Sequence, residues 1–281
     1  MHAFINHRSS CFLDTLLVAM FTTTTSFDHL FHPHDNNNNN NNNIVARTLE
    51  GEVRRLRSQE ADTCGWKITT LRNLLGSPWN NGHPQSAVDF LHALLDALEV
   101  KSLGTLRHVI AYLPHTRTTM LNDVRMSNVE GFRMQLAVAG QHASLVDVFK
   151  VQKMVLPPGA ESYATVNGII LEDAPVLVFE VGRNDSTARV EYGSTAARAM
   201  RIFILVKDVE YTLVGVVCRT NGHYMGFVWG EQEEEEGCGW GVYDDAQENG
   251  AIVKTGHPEN HSKGSPSRFG ELFFYVRACK K

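Results

Sequence analysis

Helical and strand patterns occupy different parts of this chain, and that separation constrains the fold more than any other feature of the sequence. Up to about residue 105, apolar residues recur with the three- and four-residue spacing of a helix face. Beyond that point the sequence changes to short β-rich runs divided by turn residues. Helices followed by strands indicate an α+β fold, with a helical layer beside a mostly antiparallel sheet. Without a repeat or a linker, residues 1–281 are expected to form a single domain, helical over about 1–105 and β-rich over about 106–281.

The first predicted helix follows Ser9 or Ser10, either of which can act as its N-cap. Its apolar stripe consists of Phe12, Leu13, Leu16, Leu17 and Met20. Further helices are predicted over about 50–59 and 66–75 and in the segment after Pro84, where leucines and a phenylalanine share one face. The predicted strands are 109–113, 132–138, 176–181, 201–206, 211–217, 224–229, 240–243 and 272–276.

Composition argues against several classes of function. Hydrophobic residues make up 43% of the chain, which supports a packed core. The formal net charge of −5 provides no basic face for nucleic acid. No apolar run approaches membrane-spanning length. Asp14 interrupts the run from Cys11 to Phe21, which we interpret as a folded amphipathic helix rather than a signal peptide. We therefore expect a monomer with no nucleic-acid or membrane partner.

The cysteines fit a reducing compartment. The five of them are Cys11, Cys64, Cys218, Cys238 and Cys279, an odd number with no CxxC spacing. A disulfide framework and a closed cysteine zinc site are both disfavoured by this pattern. An intracellular location, in the cytoplasm, the nucleus or both, follows as an expectation.

Two further segments have unusual compositions. Residues 32–43 are of low complexity and end in eight asparagines, so they predict a solvated loop. The group His29, His32, His34 and Asp35 is spaced irregularly around Pro33 and is interpreted as part of a surface loop rather than as a metal site. Glu231 and residues 233–236 predict a second solvated loop, with the steering of a basic tail as the alternative.

Cys11 is the first candidate for chemistry. It is predicted in the first turn of its helix, where the dipole and free backbone amides stabilise a thiolate. A buried core cysteine is the alternative. Asn6 stands five residues earlier, and a loop entering the helix can bring its amide beside the sulfur as an oxyanion donor. Taken by itself, Asn6 is better explained as an ordinary turn residue.

His223 is the second candidate. It follows the turn residues Asn221 and Gly222 and opens a strand, a position that can hold an imidazole rigidly. A second strand ends in Asp244 and Asp245. A hairpin of these two strands, joined by the acidic loop, would bring Asp244 to His223, where it would orient the ring. The alternative is an edge-strand histidine beside an acidic turn.

These segments together resemble the ubiquitin-specific protease family of papain-like deubiquitinases. The family's Cys box is similar to residues 6–15, NHRSSCFLDT, whose wording is closest to the cylindromatosis-type branch. The Gln box is similar to residues 84–91, PQSAVDFL, followed by 94–96, LLD. The Pro-x-Val-Leu strand is similar to residues 175–179 with Arg183. The His box is similar to residues 211–213, 222–224 and 243–245, and the closing strand to residues 272–275.

The resemblance implies a helical thumb and a β palm with a cleft between them. It implies a cysteine protease, a thiol-dependent ubiquitinyl hydrolase without a cofactor, that cleaves after the C-terminal glycine of ubiquitin. Cys11 would be the nucleophile, His223 the general base, Asp244 the orienting residue and Asn6 the oxyanion donor. Asp245 would support them. The substrate-binding residues implied are Gln85, Ser86, Asp89, Gly222 and Tyr224.

The chain also departs from the family pattern. It lacks the two CxxC pairs of the zinc-binding fingers, so the fingers are expected to be reduced and without zinc. Ser86 replaces an aspartate associated with the substrate's tail, and Asp89 replaces a glutamate. A protease for another modifier, such as SUMO, and an inactive ubiquitin-binding module are the alternatives. The Cys box starts at residue 6, so no accessory domain is expected before it.

Overall fold

The structure is a computed structural model. It describes residues 4, 6, 9–31, 43–58, 68–100, 105–114, 123–128, 134–138, 142–144, 152–155, 163–173, 175–183, 189–192, 199–204, 207–231, 238–246, 250–261 and 264–278. Most of the predicted low-complexity loop, residues 32–42, and the acidic segment 232–237 lie outside the described residues. Within the described part, no helix combines the length and the hydropathy needed to cross a membrane.

The described α-helices lie mainly in the first third of the chain, as predicted. They are α1 (Cys11–Phe21), α2 (Ile44–Ser58), α3 (Thr69–Leu75), α4 (Ala87–Ala97) and the short α5 (Pro266–Phe269). Helix α2 begins six residues before its predicted start because Asn43 caps it. The Asn43 Oδ1 atom accepts hydrogen bonds from the backbone N–H groups of Val45 and Ala46, both at 3.0 Å. The last asparagine of the tract therefore belongs to a helix end.

The strands fill the rest of the described chain. They are β1 (Thr105–Pro114), β2 (Asp123–Asn128), β3 (Met134–Val138), β4 (His142–Ser144), β5 (Gln152–Val155), β6 (Tyr163–Asp173), β7 (Val176–Arg183), β8 (Arg189–Glu191), β9 (Ala199–Ile204), β10 (Lys207–Thr220), β11 (His223–Glu231), β12 (Cys238–Tyr243), β13 (Ile252–Thr255) and β14 (Gly270–Arg277). Each predicted strand overlaps one of these. The sequence patterns missed β2, β4, β5, β6, β8 and β13.

Two larger sheets organise these strands. An eight-stranded sheet has the order β13-β12-β11-β10-β14-β7-β3, with β9 also paired to β10. Its pairings are antiparallel except for β3 with β7. A separate four-stranded sheet has the order β2-β1-β6-β5. The α+β class with a mostly antiparallel sheet is therefore confirmed, while the division into thumb, palm and reduced fingers stays a prediction.

Helix α1 packs against β10 and β11 at positions where the sheet carries glycine. A Cβ atom on Gly215 would lie 2.3 Å from the backbone oxygen of Ala19, and one on Gly226 would lie 3.1 Å from the Thr15 side chain. Just after the helix, Thr23 packs in the same way against Gly230. A Cβ atom on Gly230 would lie 2.6 Å from Cγ2 of Thr23. The helix axis thus lies closer to the sheet than side chains at these positions would permit.

The amphipathic character predicted for α1 is wrong. Every residue of the helix is buried, including the polar Asp14 and Thr15. The sheet covers one side, and α2 and α4 cover others, so no face is left for solvent. A helix buried on all sides tolerates a charged type such as Asp14 only with specific partners.

The glycine contact leads to a stability prediction. Gly215→Ala should lower the free energy of unfolding by about 1–3 kcal/mol, because the methyl group would overlap the Ala19 backbone rather than a flexible side chain. Urea denaturation measures the change. Gly239→Ala in β12 is the matched control, since a Cβ atom there meets nothing within 4 Å. Equal effects of the two substitutions would contradict the proposed close approach of α1.

Candidate active site

Cys11 is the first residue of α1 and is 6% exposed. The predicted cap is only partly correct. Ser10 occupies the N-cap position, but its hydroxyl makes no capping hydrogen bond and instead donates to the Asp14 carboxyl group. The backbone oxygen of Ser10 accepts from the N–H groups of Leu13 and Asp14 at 2.9 and 3.0 Å. The start of the helix, and with it the position of Cys11, is therefore held by contacts within its own first turn.

A tight turn places His223 at the start of β11. Thr220 and His223 form the last pair of the β10–β11 ladder, so Asn221 and Gly222 are the two turn residues between them. Their φ angles are 50° and 80°, as a type I′ hairpin requires at both central positions. The turn's twist matches that of the strands, so the histidine backbone is fixed by the hairpin itself.

The β11–β12 hairpin brings an acidic side chain to this histidine. Gly226 pairs with Tyr243, and Asp244 follows directly after β12. Nε2 of His223 lies 2.8 Å from Oδ1 of Asp244. The same Oδ1 accepts from the backbone N–H of Ala246 at 3.1 Å, which fixes the carboxylate. The structure thus brings the predicted His–Asp pair together, and the roles assigned to the two residues stay predictions.

His223 also contacts Cys11, although most of the chain separates them in sequence. The hydrogen bond with the Cys11 side chain is the largest of the causes that raise the pKa of His223 to about 9. Burial opposes the rise, while the hydrogen bond with Asp244 and the charge of Asp245 add to it. Since Nε2 faces Asp244, Nδ1 is the nitrogen left for the sulfur. The imidazole is therefore held as a cation between a thiol group and a carboxylate at neutral pH.

Asp245 and Asn6 complete the group. An Asp245 oxygen lies 3.6 Å from Nε2 of His223, and its side chain is fully buried. Burial raises the pKa of Asp245 to about 6, and the His223 cation opposes that rise. The Asn6 amide lies close enough to favour the charged form of Asp245, although neither Asp245 oxygen has a well-formed hydrogen bond among the described residues. Asn6 itself is exposed, and its Oδ1 accepts from the Ser10 N–H at 3.4 Å.

The predicted substrate-binding residues lie at the start of α4 and around the histidine turn. Ser86 is the N-cap of α4, and its hydroxyl accepts from the Asp89 N–H at 3.2 Å. Asp89 is exposed in the first turn, and Gln85 is half-buried. Tyr224 is 2% exposed, and its hydroxyl accepts from the Ala87 N–H at 3.3 Å. Tyr224 therefore links α4 to β11, and substrate binding by all of these residues, Gly222 included, stays a prediction.

One group in the described residues has the composition of a metal site. The ligand atoms of His223, Asp244 and Asp245 lie within 4.8 Å of one another. The Nε2 atom that an ion would need already makes a 2.8 Å hydrogen bond to Asp244. A proton shared between these two atoms explains the geometry without an ion.

Sequence reasoning missed the functional significance of two buried groups beside the site. Asp14 is completely buried under Cys11, and Arg72 of α3 is 4% exposed. Burial raises the pKa of Asp14 well above its usual range. The hydrogen bond from Ser10 and the charge of Arg72 lower it in part, and the charge of Asp245 adds to the rise. The available signal was the acidic residue inside an otherwise apolar helix. Its charged neighbours Arg72 and Asp245 come from other parts of the chain, and nothing in the local sequence marks them.

The contacts of His223 lead to a titration prediction. Cys11→Ala should lower the pKa of His223 most, and Asp244→Asn should lower it less, because each variant removes a partner that stabilises the imidazolium. Proton–nitrogen NMR of the His223 ring measures both shifts. The ring of His29 serves as an internal reference, because its Nδ1 contacts the backbone oxygen of Ser26 at 2.7 Å. A pKa of His223 that stays unchanged in both variants would contradict the contacts of His223 with Cys11 and Asp244.

No protein-family model and no curated protein matches the sequence. Solved structures do match. A chain in the structure of the SAGA Ubp8/Sgf11/Sus1/Sgf73 DUB module shares 15% identity with a TM-score of 0.66, covering 100% of this chain and 69% of that one. A second structure, the Ubp8-Sgf11-Sgf73-Sus1 SAGA DUB module, gives 16% identity, a TM-score of 0.60 and coverage of 99% and 68%. A chain in the structure of a yeast SAGA DUB module with mutant Sgf73 shares 13% identity with a TM-score of 0.57. The match covers 100% of this chain and 69% of that one. At this identity the likeness shows a ubiquitin-specific-protease-like fold, and it does not single out the cylindromatosis-type branch.

Proposed function

We propose that this protein is a cysteine-type deubiquitinase, hydrolysing the isopeptide or peptide bond after the C-terminal glycine of ubiquitin. The observation that carries the proposal is the contact of Cys11 with His223, which in turn hydrogen-bonds Asp244. A proposed nucleophile that contacts a base, which in turn contacts an orienting carboxylate, is the arrangement that thiol proteases use. The fold, shared with DUB-module structures, supports ubiquitin as the modifier.

We propose a role for each group. Cys11, as the thiolate, attacks the carbonyl carbon of the terminal glycine, and its backbone N–H with the Asn6 amide donates to the oxyanion. His223, as the imidazolium, protonates the departing lysine amine. Water then hydrolyses the thioester, with the neutral His223 as its base. Asp244 keeps the ring oriented, because its Oδ1 holds Nε2 throughout.

The protonation state of His223 supports this assignment. Its pKa of about 9 keeps the imidazolium populated across neutral pH, so the acid for the leaving amine is present before substrate arrives. The stabilising partners favour the charged ring below its pKa and lose effect as the pH rises through that value. Turnover should therefore fall in alkali as His223 loses its proton.

A protease for a different ubiquitin-like modifier is the second candidate, and Ser86 is the observation that favours it. The resemblance places an aspartate there, at a position associated with the modifier's tail. In this chain the Ser86 hydroxyl caps α4 through the Asp89 N–H and carries no charge. Asp89 is then the exposed carboxylate left in the first turn of that helix. The third possibility, an inactive binding module, is disfavoured by the intact Cys–His–Asp contacts.

Modifier probes that carry a C-terminal electrophile test the proposal. The wild-type protein should form an adduct with the ubiquitin probe at Cys11, located by peptide mass spectrometry, and Cys11→Ala should form none. Cys218→Ala is the matched control, because Cys218 is a fully buried thiol in β10 and its loss should leave labelling unchanged. Labelling by a SUMO probe alone would favour the second candidate. Retained ubiquitin binding without any adduct would favour the inactive module.

The predicted tail-binding role of Asp89 gives a kinetic test. Asp89→Asn should raise KM by roughly 3- to 10-fold while kcat changes little, because an exposed carboxylate that meets a basic tail contributes to binding before and during the reaction alike. Asp96→Asn on the same helix is the control, since that residue is also exposed and lies at the far end of α4. Steady-state kinetics on a fluorogenic ubiquitin substrate measure both. An unchanged KM, or an equal rise for Asp96→Asn, would remove Asp89 from the tail-binding set.

A further inference from the structure

We propose that Ser10 and Asp14 form a buried pair that positions the Asn6 side chain beside Cys11, with Asp14 present as the neutral acid. The inference rests on the proposed function, since Asn6 is the oxyanion donor there. Neither Ser10 nor Asp14 contacts the reacting atoms in this scheme. Both are positioning residues that act through Asn6 and through the start of α1.

Ser10 fixes which end of the Asn6 amide faces the helix. Its backbone N–H donates to Oδ1 of Asn6 at 3.4 Å. With Oδ1 held there, the Nδ2 group of Asn6 is the end of the amide left to face Asp245. An oxyanion requires a donor, and Nδ2 is the donor end of the amide. The Ser10 N–H thus selects the productive orientation of Asn6.

Asp14 in turn fixes Ser10. The Ser10 hydroxyl donates to Oδ2 of Asp14 one helical turn later, and both side chains are buried. An N-cap serine ordinarily turns its hydroxyl toward the backbone N–H groups of the first turn. Here it turns toward a carboxyl group, so the side chain of Asp14 decides where Ser10 and its N–H lie. Since Ser10 directly precedes Cys11, a shift of Ser10 would also move the nucleophile.

The surroundings of Asp14 favour the uncharged acid. The residue has no exposed surface, and its Oδ1 has no hydrogen-bond partner among the described residues. Asp245 and Tyr243 face it from the β12 end, and Arg72 faces it from α3. Burial is the largest cause that raises the pKa of Asp14 well above its usual range, and the charge of Asp245 adds to it. The hydrogen bond from Ser10 and the charge of Arg72 offset only part of that rise.

A neutral Asp14 also suits the site electrostatically. The Cys11 side chain, Asp244 and Asp245 already surround a single His223 cation. A further negative charge one turn below Cys11 would oppose formation of the thiolate. As the acid, Asp14 can accept the Ser10 hydroxyl at Oδ2 and carry its proton on Oδ1. An asparagine reproduces that shape and that charge, with NH₂ in place of the protonated oxygen.

Four variants test the pair: Asp14→Asn, Asp14→Ala, Ser10→Ala and the control Thr15→Val. The Thr15 hydroxyl is buried in the same helix without a hydrogen bond among the described residues, so its loss reports general damage to α1. The first readout is kcat and KM on a fluorogenic ubiquitin substrate. The second is the Asn6 side-chain amide signal in proton–nitrogen NMR of the full chain, which needs no turnover.

Asp14→Asn should keep kcat within roughly threefold of wild type, whereas Asp14→Ala and Ser10→Ala should lose about 10-fold or more in kcat at unchanged KM. The Asn6 amide signal should shift in the two alanine variants and stay in place in Asp14→Asn and Thr15→Val. An Asp14→Asn variant as slow as Asp14→Ala would overturn the neutral acid, and an Asn6 signal that is the same in all variants would overturn the positioning role. A wild-type protein that turns over no modifier substrate would instead defeat the proposed function, and the NMR readout would still decide whether the pair holds Asn6.

Discussion

The close packing of α1 on the eight-stranded sheet is the constraint on which the site depends. The helix starts with Cys11 and crosses β10 and β11, and β11 starts with His223. Gly215 and Gly226 let the two elements approach at backbone distance, and complete burial of the helix then fixes its height and rotation. Because protein interiors are close-packed, a helix held in this way cannot shift without opening voids. Local contacts hold the thiol group and the imidazole each on its own element, and the packing of α1 on the sheet brings the two elements together.

The polar groups around this contact form an electrostatic unit. One imidazole stands among a thiol group and the carboxyl groups of Asp244 and Asp245, and Asp14 lies just below. Burial is the largest cause of the raised pKa values of Asp245 and Asp14, and charge couples these groups to His223. The negative neighbours raise the pKa of His223, the His223 cation limits the rise at Asp245, and Asp245 adds to the rise at Asp14. The same surroundings, with burial as the larger cause, raise the pKa of Tyr243, whose hydroxyl donates to the Phe4 backbone oxygen at 2.7 Å.

Polar contacts join helix α4 to the eight-stranded sheet at two places along the helix. Near its start, the Tyr224 hydroxyl meets the Ala87 N–H and also donates to Glu271 of β14 at 3.3 Å. Farther along, Nε2 of His92 lies 2.5 Å from Glu180 of β7. Polar links that are largely shielded from water are geometrically demanding, so they fix the helix more narrowly than apolar contact does. The first turn of α4, with Ser86 and Asp89, is therefore held beside the hairpin that carries His223.

Local patterns in the sequence determined the α+β class, the order of the elements and the identity of the Cys, His and Asp candidates. Hydrophobic periodicity, the Asn221–Gly222 turn and the motif spacing act within a few residues, which is why they can be read from one chain. The same reasoning placed the start of α2 too late, missed six strands and took α1 for an amphipathic helix. Only the tertiary structure decided that α1 is buried on all sides, that the Ser10 hydroxyl turns to Asp14, and that Asp245, Arg72 and Tyr243 converge there. Those outcomes depend on the dielectric and the distances created by packing elements from all parts of the chain, and no local pattern encodes them.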